Sequence, residues 1–216
     1  MSEWIDITQP LTGSLAHWPG DIPFTYKETY SHADTGSVAI GQIQLSLHSG
    51  THADAPYHAE KEGQRMGDVP IEPFIGPAQV VDLSAYPTIS KEALQQSGPI
   101  KARRVLLKTK IPNDANRFPD SIAAIDEAAV DYLFEQEVKL IGVDVPSVDP
   151  LNSKSMLAHK RLNLRNMYIL ENLMLDHVET GGYFLSALPL AITHGDGSPV
   201  RAVLKKQTLG GTYYGQ

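Results

Sequence analysis

Cysteine is absent from the 216-residue chain. Disulfide bridges and thiolate metal sites are therefore excluded, and a cytoplasmic location is expected. Long apolar runs are missing too: no stretch approaches the roughly 18 residues of a membrane-spanning helix, so no membrane association is expected. Residues 1–9 are polar and include acidic side chains, which does not match a signal peptide.

Basic side chains are scarce relative to acidic ones. The chain has 18 Lys and Arg against 25 Asp and Glu, for a formal net charge of -7. Because nucleic-acid binding requires a clustered basic surface, nucleic acid is not the expected partner, and a small molecule is favoured. Hydrophobic residues make up 42% and charged residues 20%. This composition is globular, and the length predicts a single domain over residues 1–216.

Histidines, in contrast, are concentrated in one stretch. Residues 48–58 read HSGTHADAPYH and contain three of the 8 histidines together with Asp54. Neutral imidazole and carboxylate are the ligands that divalent cations take from a protein without cysteine. In a continuing strand, His48 and His52 would lie about 13 Å apart, so a shared ion requires a turn. Gly50 reaches positive φ at low cost, which predicts a strand ending at His48, a turn at Gly50, and the return of His52 and Asp54 to the same point.

The rest of the chain alternates strand-like and helix-like segments. Residues 91–97 and a part of 121–137 predict helices, with Ser90 and Asp126 as N-caps. A strand, a helix and a further strand form a crossover unit, so the fold class is α/β with an at least partly parallel sheet. The predicted strands cover residues 4–7, 24–26, 38–47, 78–83, 104–108, 139–145, 167–171, 182–188 and 200–205.

The stretch at residues 48–58 resembles the H-x-G-T-H-x-D-x-P-x-H signature of the metal-dependent cyclase family, and every fixed position of that signature is present. Its length makes it far more specific than a short glycine-rich motif. The resemblance implies a swivelling β/α, cyclase-like domain with a mixed, barrel-like sheet core flanked by helices, and it implies a homodimer. It covers nearly the whole chain, through residues 142–144, 146–150, 158–160, 169–172 and 196–201.

The resemblance also implies two divalent cations per chain, zinc or alternatively manganese. His48, His52 and Asp54 would hold the first cation, and Asp54 would bridge to a second one held by His159 and Glu171. From the residues alone, His159 is equally well interpreted as a surface histidine and Glu171 as an acid at the end of a strand. Divalent cations with such ligands lower the pKa of bound water and polarise carbonyl groups.

Two further residues are candidates for the chemistry and for substrate binding. His58 closes the signature, and we expect it to act as general acid/base, taking a proton from water and giving it to a leaving nitrogen. A role for His58 as a terminal metal ligand stays open. Trp18 begins Trp-Pro-Gly-Asp, which is similar to a motif in the formamidases of the family. The resemblance implies that Trp18 packs on the aromatic ring of the substrate, whereas an average tryptophan belongs to the core.

The activity implied by the resemblance is the hydrolysis of N-formyl-L-kynurenine to L-kynurenine and formate in tryptophan breakdown. The chain has no Gly-x-Ser-x-Gly motif, which argues against a serine hydrolase. Two alternatives are a hydrolase of cyclic amides such as isatin and a metal-stabilised binding protein without turnover. Trp18 favours the formamide over isatin, and the additional histidine, His58, favours an enzyme. Ile22 and Ala59 depart from the pattern of the family and bear on the shape of the pocket.

Overall fold

The computed structural model describes residues 3–207 and has a mixed α/β fold built on one large sheet. In that range, no helix has the length and apolar character needed to cross a membrane. The strands are β1 (Trp4–Asp6), β2 (Thr25–Tyr30), β3 (Ile40–Gln44), β4 (His52–Asp54), β5 (Ile75–Asp82), β6 (Arg104–Lys108), β7 (Leu140–Val143), β8 (Tyr168–Glu171), β9 (Gly181–Ser186), β10 (Gly197–Pro199) and β11 (Val203–Lys206). The helices are α1 (His32–Thr35), α2 (Lys91–Gln96), α3 (Glu127–Glu135) and α4 (Leu157–Leu164), with single 3-10 turns at Pro56–His58, Met66–Asp68 and Glu72–Phe74.

The large sheet has nine strands in the order β1-β11-β9-β5-β6-β7-β8-β4-β10 and curls into a half-barrel. Its centre, from β5 to β8, is parallel. Helices α2, α3 and α4 each return the chain between successive strands of this centre, as parallel pairing requires. The remaining neighbours in the sheet pair antiparallel. The predicted α/β class, with crossover units and a barrel-like sheet, is confirmed.

Both faces of the central strands are buried. On β6, the side chains of Val105 and Leu107 pack in one core with residues of α2, α3 and α4, whereas Leu106 belongs to a second core on the opposite face. Successive side chains of a strand point to opposite faces. A strand that is buried on both faces is therefore apolar throughout, which is why β6, β7 and β8 are recognisable as apolar runs in the sequence.

The two predicted helix caps are confirmed. The Ser90 side chain accepts the backbone N–H of Ala93 at 3.1 Å, and Asp126 accepts that of Ala129 at 2.6 Å. Each cap satisfies one of the backbone donors that the first turn of a helix leaves unpaired. Because Asp126 caps α3, the helix occupies only the part of residues 121–137 that follows this residue.

The predicted strand ending at His48 is wrong in its position, because β3 ends at Gln44 and a turn occupies residues 47–51. The alternation that indicated a half-buried strand belongs to a hairpin instead. Ile43 on β3 is 53% exposed, and among the described residues β3 pairs with β2 alone. Strands β4 and β10 were not predicted, because three residues are too few to reveal a period.

Candidate metal centre

Strand register brings three of the predicted ligands together. β4 lies between β8 and β10, with His52 opposite Glu171 and Asp54 opposite Ile169. Residues directly opposite each other project to the same face of a sheet, and so do residues two apart in one strand. His52, Asp54 and Glu171 therefore share a face, where their side chains are 1%, 4% and 5% exposed.

The turn before β4 returns His48 to the same point. Gly50 has a φ of 64°, in the left-handed region, so the predicted turn at this glycine is confirmed. The Thr51 hydroxyl fixes the turn by donating to the backbone carbonyl of Asn172 at 2.6 Å. As a result, His48 Nδ1 lies 2.9 Å from Asp54 Oδ1.

Helix α4 contributes a further histidine to the cluster. His159 has a side chain that is 3% exposed, and its Nδ1 lies 2.6 Å from Asp149 Oδ2. The Asp149 carboxylate also accepts the backbone N–H groups of Ala158 and His159 at 3.0 and 3.1 Å. These bonds cap α4, since the residue before the helix, Met156, has a φ of 52° and makes no side-chain cap. A single carboxylate thus fixes both the helix start and the orientation of the His159 ring.

The inner nitrogen atoms of two histidines face carboxylates without hydrogen bonding. The Nδ1 atoms of His52 and His159 are each bonded to an oxygen outside the cluster, so in the neutral rings Nε2 carries the lone pair. His52 Nε2 lies 3.4 Å from both Asp54 Oδ1 and Glu171 Oε2, and His159 Nε2 lies 3.3 Å from Asp54 Oδ2. Within residues 3–207, these two Nε2 atoms and Asp54 Oδ2 have no hydrogen-bond partner. Buried lone pairs that face one another are costly without a cation between them, so the donor set fits divalent metal ions.

Asp54 belongs to two groups of potential ligands. The ligand atoms of each group lie within 4.8 Å of one another. The first group is His48, His52 and Asp54, and the second is Asp54, His159 and Glu171. Asp54 is accordingly in position to bridge two cations.

The cluster has a strongly negative field. Burial acts to lower the pKa of His52, but contacts with Asp54 and Glu171 outweigh it and raise this pKa to about 10. Burial likewise acts to lower the pKa of His48, but contacts with the carboxylates of Asp196 and Asp54 outweigh it and raise this pKa to about 9. Burial acts to raise the pKa of Asp54, yet contacts with three histidines hold it well below its usual range. The cluster therefore favours positive charge, which protons supply in metal-free protein and divalent cations would supply instead.

His58 lies beside this cluster and is less buried. Its side chain is 30% exposed, and its ring centroid lies 4.0 Å from that of His48 and 5.6 Å from that of His159. Its Nδ1 lies 3.9 Å from Asp196 Oδ2, which also contacts His48 Nε2 at 3.1 Å. This position suits a group that exchanges protons with a substrate. Because His48, His58 and Asp196 form a third group of potential ligands, the alternative role of His58 as a ligand stays open.

A cavity of about 580 Å³ adjoins the cluster and is lined by His48, His58, His159 and Glu171. Trp18 and Phe118 line it as well, with ring centroids 5.3 Å apart and ring planes at 80°. Edge-to-face pairs of this kind are a favourable aromatic arrangement. The cavity thus places an aromatic surface in the same space as the histidine and carboxylate cluster.

A family model described as putative cyclase matches residues 5–150, which is more than half of the chain and includes the histidine stretch at residues 48–58. The chain belongs to this cyclase family. The family that the sequence signature indicated is therefore confirmed.

Relatives and solved structures place the chain more closely within the cyclase family. A kynurenine formamidase from Bacillus thuringiensis is 46% identical over 204 residues, which cover 94% of this chain and 98% of the relative. The structure of a predicted metal-dependent hydrolase from Bacillus stearothermophilus matches with a TM-score of 0.78 at 25% identity, covering 93% of this chain and 97% of that chain. Isatin hydrolase A from Ralstonia solanacearum matches with a TM-score of 0.76 at 26% identity, covering 93% and 90%. The cyclase-like fold is confirmed by these similarities.

The structure brings the predicted site residues together, some in the buried cluster and the others in the cavity beside it. The five predicted ligands meet in the buried cluster, and His58 and Trp18 line the adjoining cavity. His177, which had no predicted role, lies elsewhere, with its Nε2 3.2 Å from the Asp6 carbonyl oxygen. The five predicted ligands are His48, His52, Asp54, His159 and Glu171.

Asp149 and Asp196 are candidate functional residues that the sequence reasoning did not identify. Asp149 orients His159, and Asp196 contacts His48. Both lie in segments that resemble the cyclase family, residues 146–150 and 196–201, and this resemblance was the available signal. Asp196 and His48 are 148 positions apart, so spacing along the chain does not reveal the contact.

Proposed function

We propose that the protein is an arylformamidase that hydrolyses N-formyl-L-kynurenine to L-kynurenine and formate, in tryptophan degradation. The observation that carries this proposal is the 46% identity, over nearly the full length of both chains, to a kynurenine formamidase. The buried cluster and the aromatic cavity wall supply the groups that such a reaction needs. The enzyme would be cytoplasmic, as the cysteine-free composition leads us to expect.

His48, His52 and Asp54 would hold one divalent cation, and Asp54, His159 and Glu171 a second. Zinc suits three histidines and two carboxylates, and manganese suits them as well. Bound cations would lower the pKa of water and polarise the formyl carbonyl. The Nε2 atoms of His52 and His159, which have no hydrogen-bond partner in the described part of the chain, support this assignment.

The remaining work falls to side chains of the cavity. His58 would accept a proton from the attacking water and deliver it to the aromatic amine nitrogen when the C–N bond breaks. A neutral amine and formic acid would result, and the acid would release its remaining proton to solvent to give formate. Trp18 would hold the aromatic ring and so place the formyl carbon against the cluster. The cavity walls would exclude bulk water from the reacting groups.

The choice of substrate is tested by comparing kcat/KM for N-formyl-L-kynurenine and isatin on the metal-loaded protein. We expect a wide preference for N-formyl-L-kynurenine, because Trp18 and Phe118 in the cavity lining offer an aromatic surface for its ring. Faster opening of the isatin ring would instead support the alternative of a cyclic-amide hydrolase. The fold similarity to isatin hydrolase A is the reason for testing this alternative. Metal binding without turnover of either compound would favour the binding-protein alternative.

The protein would act as a single domain over residues 1–216, of which residues 3–207 are described, and as a homodimer. An isolated two-stranded hairpin is only marginally stable in water, yet every residue of β2 and β3 is exposed. Four of its large side chains are 47% to 62% exposed: Tyr26, Tyr30, Ile40 and Ile43. A second copy seated on this hairpin would bury these side chains and stabilise the pairing.

Light scattering tests the homodimer. We expect a dimer mass for the wild type and a monomer mass for Ile43→Glu, because a charge in an apolar interface opposes association. Ile71→Glu is a matched control on another surface, since Ile71 is 57% exposed, and it should leave the mass unchanged. A monomeric wild type would contradict the assignment.

A further inference from the structure

One wall of the cavity is formed in part by Asp114, Arg117, Phe118 and Pro119, which belong to the loop at residues 113–120. This wall carries a positively charged side chain. Among the described residues that line the cavity, Arg117 is the one lysine or arginine. The acids Asp21, Asp114 and Glu171 line the same space. In an acidic protein with a formal net charge of -7, a cation at this place stands out as a candidate for binding an anionic group of a ligand.

The backbone around Arg117 is held in place at several points. Asn113 donates from Nδ2 to the backbone carbonyls of Asp144 and Leu173 at 3.0 and 2.8 Å, which ties the loop to the ends of the central strands. The backbone N–H of Ala16 donates to the carbonyl of Ala115 at 2.8 Å. The loop is thereby joined to the segment that carries Trp18.

Arg117 also lies next to the aromatic pair. Its neighbour Phe118 makes the edge-to-face contact with Trp18 at 5.3 Å. In N-formyl-L-kynurenine, the amino-acid tail stands on the ring carbon next to the formamide. With the ring packed on this pair and the formamide at the buried cluster, the tail would extend along the cavity toward the loop. Arg117 lies in this loop and, among the described residues that line the cavity, is the one lysine or arginine that could meet that substituent.

The guanidinium of Arg117 contributes little to the stability of the protein itself. Within residues 3–207, its ion-pair partner is Asp120, with Nη2 2.9 Å from Oδ2, and the two side chains are 71% and 87% exposed. Exposed pairs of this kind contribute little to stability, so a ligand carboxylate can replace Asp120 at low cost. Arg161 differs, because it binds the partly buried Asp131 in the packing of α4 against α3.

We propose that Arg117 binds the α-carboxylate of an amino-acid substituent on the substrate's aromatic ring. This inference rests on the proposed function and deepens it, since it makes the cavity selective for aryl formamides that carry an amino-acid tail. The planar guanidinium matches a carboxylate through two parallel N–H···O bonds. Formanilide, which has the aromatic formamide without the tail, would gain nothing from this contact.

The test compares Arg117→Ala with the wild type on N-formyl-L-kynurenine and on formanilide. We expect kcat/KM for N-formyl-L-kynurenine to fall about 10- to 100-fold, mainly through KM, as for the loss of a charged hydrogen bond. The loss on formanilide should be several-fold smaller, and Arg117→Lys should restore part of the loss. Arg103→Ala is the matched control, because Arg103 is an exposed arginine with its own ion-pair partner, Glu137, and does not line the cavity.

Equal losses on the two formamides, or no loss on either, would overturn the role of Arg117. Calorimetric binding of L-kynurenine to the wild type and to Arg117→Ala gives a readout that does not depend on turnover. Weaker binding to the variant supports the carboxylate contact even if the wild type hydrolyses no formamide, in which case the proposed function fails by itself. Unchanged L-kynurenine affinity would reject the contact.

Discussion

The buried metal-ligand cluster and the aromatic side of the cavity beside it differ in how their side chains are held. We call the buried cluster the floor and the aromatic side of the cavity the wall. The floor side chains project from strands or from helix α4 and are 5% exposed or less. The wall side chains project from loops and are partly exposed. The floor is His52, Asp54, His159 and Glu171, and the wall is Trp18, Arg117 and Phe118. His58, on a single 3-10 turn, lies at the boundary between them.

This difference separates the chemistry from the choice of substrate. Strand register sets the positions of His52, Asp54 and Glu171, so a shift of one residue would turn these side chains to the other face. The wall residues depend on a few loop hydrogen bonds, and loops accept sequence changes more readily than strands. We therefore expect changes in the floor to abolish the reaction, and changes in the wall to weaken the binding and placement of the substrate while the buried cluster stays intact.

The largest effect is expected for Asp54→Ala in the floor. Asp54 belongs to both groups of potential ligands, so its loss should empty the site and reduce activity to background. Elemental analysis of the purified variant, alongside assays, checks this. His52→Ala should retain more metal, because it removes a ligand from one group only. A chelated, metal-free wild type with full activity would refute the metal assignment for the floor.

The next effect is expected at the boundary between floor and wall, for His58→Ala. As a general acid/base beside the cluster, His58 should be dispensable for metal binding but worth about 10²–10⁴ in kcat. Metal content and kcat measured on the same preparation test this. If the variant instead loses metal, His58 belongs with the ligands and the floor extends to it.

A smaller effect is expected for Trp18→Ala in the wall. A stacked aromatic pair is worth about 0.5–1.5 kcal/mol beyond burial, so kcat/KM should fall roughly tenfold on both N-formyl-L-kynurenine and formanilide. Part of the loss should appear in kcat, because a tilted ring misplaces the carbonyl. Trp18→Phe should recover most of the activity. A variant that also loses its metal would mean that the wall supports the floor more than we propose.

The last prediction concerns the stability of the fold, not activity, and it compares two buried carboxylates. Asp54 is surrounded by histidines, whereas burial raises the pKa of Asp144 to about 7, against hydrogen bonds from Thr109 that act to lower it. Since the unfolded value is 3.8, folding takes up a proton between about pH 4 and pH 7. The stability that this carboxyl contributes is therefore complete below about pH 4 and is lost as pH rises through 7.

Asp144→Asn should remove this pH dependence, because the amide stays neutral and can still bond to Thr109 through its oxygen and its NH₂ group. The difference between 3.8 and about 7 in the pKa of Asp144 corresponds to at most about 4 kcal/mol of folding stability. Urea unfolding of the chelated wild type and variant at pH 5 and pH 8 measures it. The variant should gain stability relative to the wild type at pH 8, and parallel changes in both proteins would contradict the raised pKa.

Much of the floor was predictable from the sequence, because its signals are local. Gly50 between His48 and His52 indicates a turn, and the turn has the positive φ that only a glycine adopts easily. The apolar runs of β6, β7 and β8 were also recognisable from local sequence, because strands that are buried on both faces have few polar positions. The hairpin was harder, because its alternating pattern is typical of a half-buried strand while its side chains are exposed here.

The sequence by itself determined the identity of the donor groups, the turn that folds them together and the α/β class with its crossover helices. These depend on residue chemistry, backbone preferences and short-range periodicity. Only the tertiary structure decided that Glu171 faces His52 across β4 and β8, that Asp149 fixes the His159 ring, and that Arg117 shares a cavity with Trp18. Each of these contacts arises from strand pairing or loop packing between distant segments, and no local pattern in the chain encodes the distance between them.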